Sequence, residues 1–220
     1  MSRWETETFN YSRPHVRLLK CAEEAARSSP KTVFELGCGL GLLREELLRR
    51  LPNLDYHGCD VSHSAVARLN DPHVVQTDLR ADPLPFPGMT FDCIVGSGVF
   101  EYIEDLSGLF AELHSRLHGN GRLVASYYNM RHAYRRILHA LGKTPHRHPD
   151  WRNDLSPKEF RALLERAGFT IEKVLPVNVC LTGMKGPKES QHPLVSWLMA
   201  RMPLKDQFGH QLIYVARKAE

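Results

Sequence analysis

No two of the five cysteines (Cys21, Cys38, Cys59, Cys93, Cys180) are spaced as CxxC. That spacing argues against a zinc ribbon or a redox dithiol. Buried free thiols are expected instead, because three of the five lie in or beside apolar strand-like runs. No apolar run approaches the ~20 residues that a bilayer-crossing helix needs. The opening MSRWETETFNYSRP lacks the apolar core of a secretory signal. A cytoplasmic protein without a membrane span is therefore expected. One sign of charge does not dominate either: Lys and Arg number 29 against 25 Asp and Glu, a formal +4 that permits an anionic partner without requiring one. Internal repeats and low-complexity tracts are absent.

What the chain does contain is an alternation of short apolar runs with helical patterns. Residues 14–28 read as an opening helix with Pro14 in its first turn. KTVFELG reads as a buried strand, LLREELLRRLPN as a helix, LDYHGCD as a strand and SHSAVARLND as a helix started by Ser62. HVVQTDL, FDCIVGSGVF and RLVASYY read as further strands, with a helix over LSGLFAELHSRLHGNG ended by its glycines. Nearly all-apolar strands between helices indicate a doubly wound α/β domain with a mostly parallel sheet. At 220 residues one domain over 1–220 is expected, with an N-terminal arm and helix over 1–30. Two stretches break the rhythm. Residues 130–153 carry six Arg/Lys and four His, and 179–209 form a long connection. Connections of that length are usually functional or mobile, so both are expected on the substrate side, as insertions or a lid.

The chain leaves its first strand through Glu35-Leu36-Gly37-Cys38-Gly39-Leu40-Gly41. In a doubly wound sheet, ligands bind beyond the carboxyl ends of the strands, near this point. A dinucleotide fingerprint needs G-x-G-x-x-G, but counting from Gly37 the third glycine position holds Leu42. A P-loop needs Lys-Ser/Thr after its last glycine, and Leu42-Leu43 stands there.

ELGCGLG resembles the acidic-x-Gly-x-Gly-x-Gly first motif of the class I S-adenosylmethionine-dependent methyltransferases. Asp60, 19 residues past Gly41, has the spacing of a carboxylate that accepts both ribose hydroxyls. QTDL (76–79) and FDCIVGSGVFEYIED (91–105) are similar to later family motifs in the same order. LSPKEFRALLERAGFTIEKV is similar to the late helix-turn-strand of the family's small-molecule branch. Ser156 and Pro157 start its helix and Gly168 ends it. The resemblance implies a Rossmann-like, seven-stranded, mostly parallel sheet with its last strand antiparallel.

It also implies S-adenosylmethionine as cofactor, with S-adenosylhomocysteine as product. The cofactor residues it implies are Tyr11, Glu35, Gly37, Cys38, Gly39, Asp60, Val61, Asp78, Leu79 and Ser97. Glu35 would order the loop and the amino end, Asp78 would accept from the adenine amino group, and the Leu79 N–H would meet a ring nitrogen. Phe100, Tyr102, Tyr128, Asn129 and His132 are the substrate-side candidates, from the ends of the fourth and fifth strands. His132 and Tyr102 are the two catalytic candidates. Tyr102 stands where many relatives carry His, so a histidine proton acceptor is not expected there. No metal is expected, since the His146-x-His148 pair lacks accompanying carboxylates.

The resulting expectation is a methyltransferase acting on O or N of a small-molecule, glycan or carrier-bound acceptor, as monomer or homodimer. Two alternatives stay open: a non-catalytic cofactor-binding regulatory subunit, and an RNA methyltransferase using the basic 131–152 segment. Nucleic acid is not the expected partner, because the fourth strand lacks the Asn/Asp-Pro-Pro-aromatic motif of enzymes that methylate a flipped base.

Overall fold

The computed structural model describes residues 15–143, 148–179 and 209–219. Tyr11 and nearly all of the 179–209 connection lie outside them. Five parallel strands, β1 (Thr32–Leu36), β2 (Asp55–Asp60), β3 (Val74–Gln76), β4 (Phe91–Ser97) and β5 (Leu117–Tyr128), are joined by β6 (Phe169–Val179) and β7 (Gly209–Lys218). Their spatial order is β3-β2-β1-β4-β5-β7-β6, and β7 runs antiparallel to both of its neighbours. The doubly wound sheet and the antiparallel last strand agree with expectation.

Strand alternation divides the core between two faces. Phe34, Leu36, Ile94, Leu123, Ala125, Leu212 and Tyr214 face one side, where they meet helices α4 (Leu106–Ser115) and α6 (Pro157–Arg166) through Phe110, Leu113, Phe160 and Leu164. Val33, Cys93, Val95, Val124 and Ile213 face the other, against α1 (Val16–Ala26) and α2 (Leu42–Arg50) through Cys21, Ala22, Leu43 and Leu47. Helix α3 (His63–Leu69) adds Val66 and Leu69 to that second face. Cys21, Cys38, Cys59 and Cys93 are all buried free thiols. Full burial of each large apolar side chain contributes roughly 1.5–3 kcal/mol before entropy is counted.

Local signals fix the element ends. The Ser62 hydroxyl accepts from Ala65 N–H and caps α3. Ser156 and Glu159 form a capping box with Pro157 in the first turn of α6, and Gly168 follows that helix at φ +91°. At the amino end of the sheet the Asp92 carboxylate accepts from Lys31 N–H (2.8 Å) and Thr32 N–H (3.0 Å), tying β4 to β1.

Several boundaries differ from expectation, among them the end of the fourth strand, which stops at Ser97, and the start of the fifth, which begins at Leu117. Helix α4 stops at Ser115 and not at the glycines, because Leu117 already pairs with Phe91 in the sheet. The Arg116 guanidinium secures that exit by donating to the carbonyls of Pro85, Phe86 and Met89 in the proline-rich loop. The third strand is also shorter than HVVQTDL, since after Gln76 the chain turns through Asp78, whose N–H donates to Asp82 (2.8 Å). A short helix, α5 (Ala133–Ala140), occupies part of the basic segment.

Candidate functional site

A cavity of about 270 Å³ opens at the carboxyl ends of β1, β2 and β4, where the strand order reverses. Its floor is the glycine turn. Gly37, Gly39 and Gly41 all hold positive φ (+68°, +50° and +79°), a backbone that side chains other than glycine rarely adopt. Their surroundings differ. A Cβ on Gly41 would stand 2.7 Å from Leu69 Cδ2, so this glycine lets α2 pack against α3. A Cβ on Gly39 would meet nothing within 4 Å, and its open face turns into the cavity.

The turn hangs from the end of β2. Cys38 N–H donates to Cys59 O (3.0 Å), and Gly39 N–H donates to Asp60 Oδ2 (2.7 Å). The other Asp60 oxygen accepts from Ser62 N–H (2.9 Å). These two backbone donors set the orientation of the Asp60 carboxylate, which lines the cavity.

Glu35 lines the same cavity from β1 and is almost fully buried. Burial pushes its carboxyl up to about 8; nearby Asp60 adds to the rise, while the hydrogen bond from Tyr56 and the charge of Arg44 oppose it. The Tyr56 hydroxyl donates to Glu35 Oε2 (2.6 Å). Gly58 makes that bond possible: a Cβ there would come within 2.8 Å of the Tyr56 oxygen.

Across the cavity Arg17, from α1, donates through Nε to Ser97 Oγ (3.0 Å). Its guanidinium lies flat over Gly98, where a Cβ would stand 2.6 Å from Nη1. At the far end Asp78 is held bidentate by Arg80, at 2.8 Å to Nε and 2.6 Å to Nη2, and this guanidinium keeps its carboxyl below the usual range. Gly37, Cys38, Val61, Leu79 and Ser97 all reach the cavity wall. So does Tyr102, which stands edge-on to His148 at 5.6 Å.

Four substrate-side candidates lie outside the cavity lining. Phe100 is wholly buried, tilted against Phe110 and edge-on to Phe160, because its ring occupies the space over Gly96. Asn129 is a brace and not an open amide: Nδ2 donates to Gly209 O (3.0 Å) and Oδ1 accepts from Arg131 N–H (3.1 Å). His132 is fully buried and stacked on His210 at 4.2 Å, outside the cavity lining, so it is not positioned as a base there. Burial, with His132 and Arg135 nearby, lowers His210 to about 4 and keeps that ring neutral. Tyr128 lies against Trp151 (4.7 Å) with the Arg135 guanidinium over its ring at 5.6 Å, beyond the cavity rim.

Two charged residues were not anticipated, Arg17 in the cavity wall and Glu101 just outside its lining. Arg17 carries no local signal, being a charged residue on an amphipathic helix until α1 packs against β4. Glu101 follows Phe100 and is buried; one oxygen accepts from Tyr128 N–H (2.7 Å) and the other has no hydrogen-bond partner among the described residues. Burial raises its carboxyl above the usual range. The segment from 151 onward is drawn onto this region by Asn153, whose amide donates to the carbonyls of Phe100 and Ile103 (2.8 Å each).

A glycine turn suspended from a β2 carboxylate thus lies at the switch point of a 3-2-1-4-5-7-6 sheet. The model of a methyltransferase-domain family matches residues 10–174. The chain belongs to the class I S-adenosylmethionine-dependent methyltransferase family. A probable S-adenosylmethionine-dependent methyltransferase of Mycolicibacterium smegmatis is 30% identical over 156 residues, covering 70% of this chain and 57% of the relative. A malonyl-[acyl-carrier protein] O-methyltransferase of Paenibacillus is 26% identical over 158 residues, covering 65% of this chain and 56% of the relative. The methyltransferase domain thus spans a little over half the length of these two relatives. The crystal structure of a Clostridium acetobutylicum S-adenosylmethionine-dependent methyltransferase superposes with a TM-score of 0.62 at 13% identity, covering 95% of this chain and 94% of the other. At that identity the likeness concerns the fold. No described helix is long and apolar enough to cross a membrane.

Proposed function

We propose that this domain binds S-adenosylmethionine in the cavity and passes its methyl group to an oxygen or nitrogen of a small-molecule or carrier-bound acceptor. The observation that carries this reading is the glycine turn tied to Asp60, with the Gly39 face left open for a ligand. The residues present fit the cofactor. The turn would run beside its methionine portion, with Glu35 toward the ammonium and Arg17 toward the carboxylate, a group that a planar guanidinium suits. Asp60 would accept from the ribose hydroxyls, and Asp78 and Leu79 would flank the adenine. Val61 and Cys38 supply apolar wall.

When bound, the sulfonium supplies an already activated methyl group for in-line displacement. The chain's own task is then alignment and exclusion of water, and alignment alone accounts for several kcal/mol of a barrier. Tyr102 lines the cavity on the side where an acceptor would enter. Tyr128, Trp151 and Arg135 continue the wall beyond it. The relatives named as malonyl-[acyl-carrier protein] O-methyltransferases support a carrier-bound carboxyl as one acceptor class. Labelled cofactor incubated with malonyl-loaded carrier protein and with small phenols and amines tests this. Transfer that drops in Tyr102→Ala is expected. Tight cofactor binding with no transfer to any acceptor would instead favour a regulatory subunit.

A further inference from the structure

A second group of ligating side chains lies at the opposite end of the sheet. Asp55 opens β2 and His57 follows two residues later, so strand alternation places both on one face. The parallel register sets Gly58 against Val74, which brings His73, just before β3, level with His57. Gly58 N–H donates to the His73 carbonyl (2.9 Å) and locks that level. The two imidazoles stack at 4.8 Å with 17° between their planes. One ligand atom from each of Asp55, His57 and His73 lies within 4.8 Å of the other two.

His57 supplies the independent observation. It is only 6% exposed, and neither ring nitrogen makes a hydrogen bond among the described residues. Its Nε2 stands 3.1 Å from Asp55 Oδ1, near enough for an ion pair but without hydrogen-bond geometry. The same Asp55 oxygen is 3.9 Å from His73 Nδ1. Phe86 and Phe91 close the other sides of the ring, edge-on at 4.9 and 5.6 Å. A buried imidazole without a hydrogen bond is costly, and the polar atoms that converge on it among the described residues, from Asp55 and His73, are metal-ligand types. Tetrahedral zinc, with bonds of ~2.0–2.2 Å, separates its ligand atoms by ~3.3–3.5 Å, and the two distances from Asp55 straddle that value; the exposed His73 ring turns out of its stack on His57 for both in-plane lone pairs to meet one ion.

We propose that Asp55, His57 and His73 form a site for a first-row divalent cation of the zinc class, with water in the fourth position. Asp55 and His73 are exposed, so an ion reaches the site from solvent while His57 anchors it from inside. This revises the expectation of no metal. A D-x-H pair with its second histidine far along the chain has no compact spacing, and only the β2–β3 register assembles it. The strand places Asp55 about 16 Å from Asp60, five steps of ~3.3 Å, so the ion clasps the amino ends of β2 and β3 and takes no part in methyl transfer.

The test is calorimetric titration of the untagged, chelator-stripped full chain with zinc chloride, alongside a melting curve. One saturable ion per chain and a raised melting temperature are expected. Asp55→Asn and His73→Ala, both at exposed positions, should each weaken binding at least tenfold and leave S-adenosylhomocysteine binding unchanged. His57→Ala should abolish zinc binding; if that variant does not fold, the Asp55→Asn/His73→Ala double variant decides. No saturable binding at zinc concentrations on the order of 0.1 mM overturns the proposal. So does binding that survives intact in the double variant.

Discussion

Replacing Glu35 with Gln keeps the shape of a buried side chain and an acceptor for the Tyr56 hydroxyl, but removes the titration. In the folded chain this carboxyl is raised to about 8, chiefly by burial, against an ordinary value of 4.5. Between those two pH values the folded state holds a proton that the unfolded chain releases. Stability from this group is therefore fully present below pH 4.5 and is lost as pH rises through 8. At ~1.4 kcal/mol per unit, the loss at pH 7 is on the order of 3 kcal/mol. The Gln variant escapes it. In urea titrations of the ligand-free protein, the variant should gain on the wild type by about 1.4 kcal/mol per pH unit between pH 5 and 7.5, flattening above 8. Other carboxylates cancel in the difference between the two proteins. A difference that is flat across that window would refute the assignment of a protonated Glu35 at neutral pH. The cavity thus stores an unfavourable group that a cationic ligand end would relieve, and the same variant should bind the cofactor more weakly while being the more stable fold.

Gly58→Ala should expel the Tyr56 hydroxyl from Glu35, since its Cβ would lie 2.8 Å from that oxygen; a loss of about 1–3 kcal/mol in urea unfolding is expected, accompanied by weaker cofactor binding. Ser156→Ala removes the hydroxyl that accepts from Glu159 N–H in the capping box of α6. It should cost about 1 kcal/mol by the same assay and leave cofactor affinity unchanged.

Much of the fold was legible because its signals are local. The apolar run into alternating glycines marked β1 and its exit, and Ser156-Pro157 marked the start of α6. Where assembly decides, the sequence was silent or misleading. The glycines at 119 and 121 look like a helix stop, yet the pairing of Leu117 with Phe91 ends α4 earlier. His132 reads as a catalytic candidate beyond the fifth strand, but His210, 78 positions later, stacks on it and it is buried. Arg17 becomes a site residue only when α1 lies over Gly98, and Phe100 leaves the substrate side because Gly96 opens a seat for its ring. Asp60 was found by its spacing from the glycines. Its bond to Gly39 N–H explains why that spacing matters: the carboxylate holds the turn as well as facing the cavity.

The central claim rests on that carboxylate, and calorimetry with S-adenosylhomocysteine on the wild type and on Asp60→Ala tests it most directly. One site per chain is predicted, weakened in the variant by roughly 1.5–3 kcal/mol, about ten- to over a hundredfold, as a charge-assisted ribose pair is lost. Absence of binding at millimolar ligand, or binding equal in the two proteins, would contradict it.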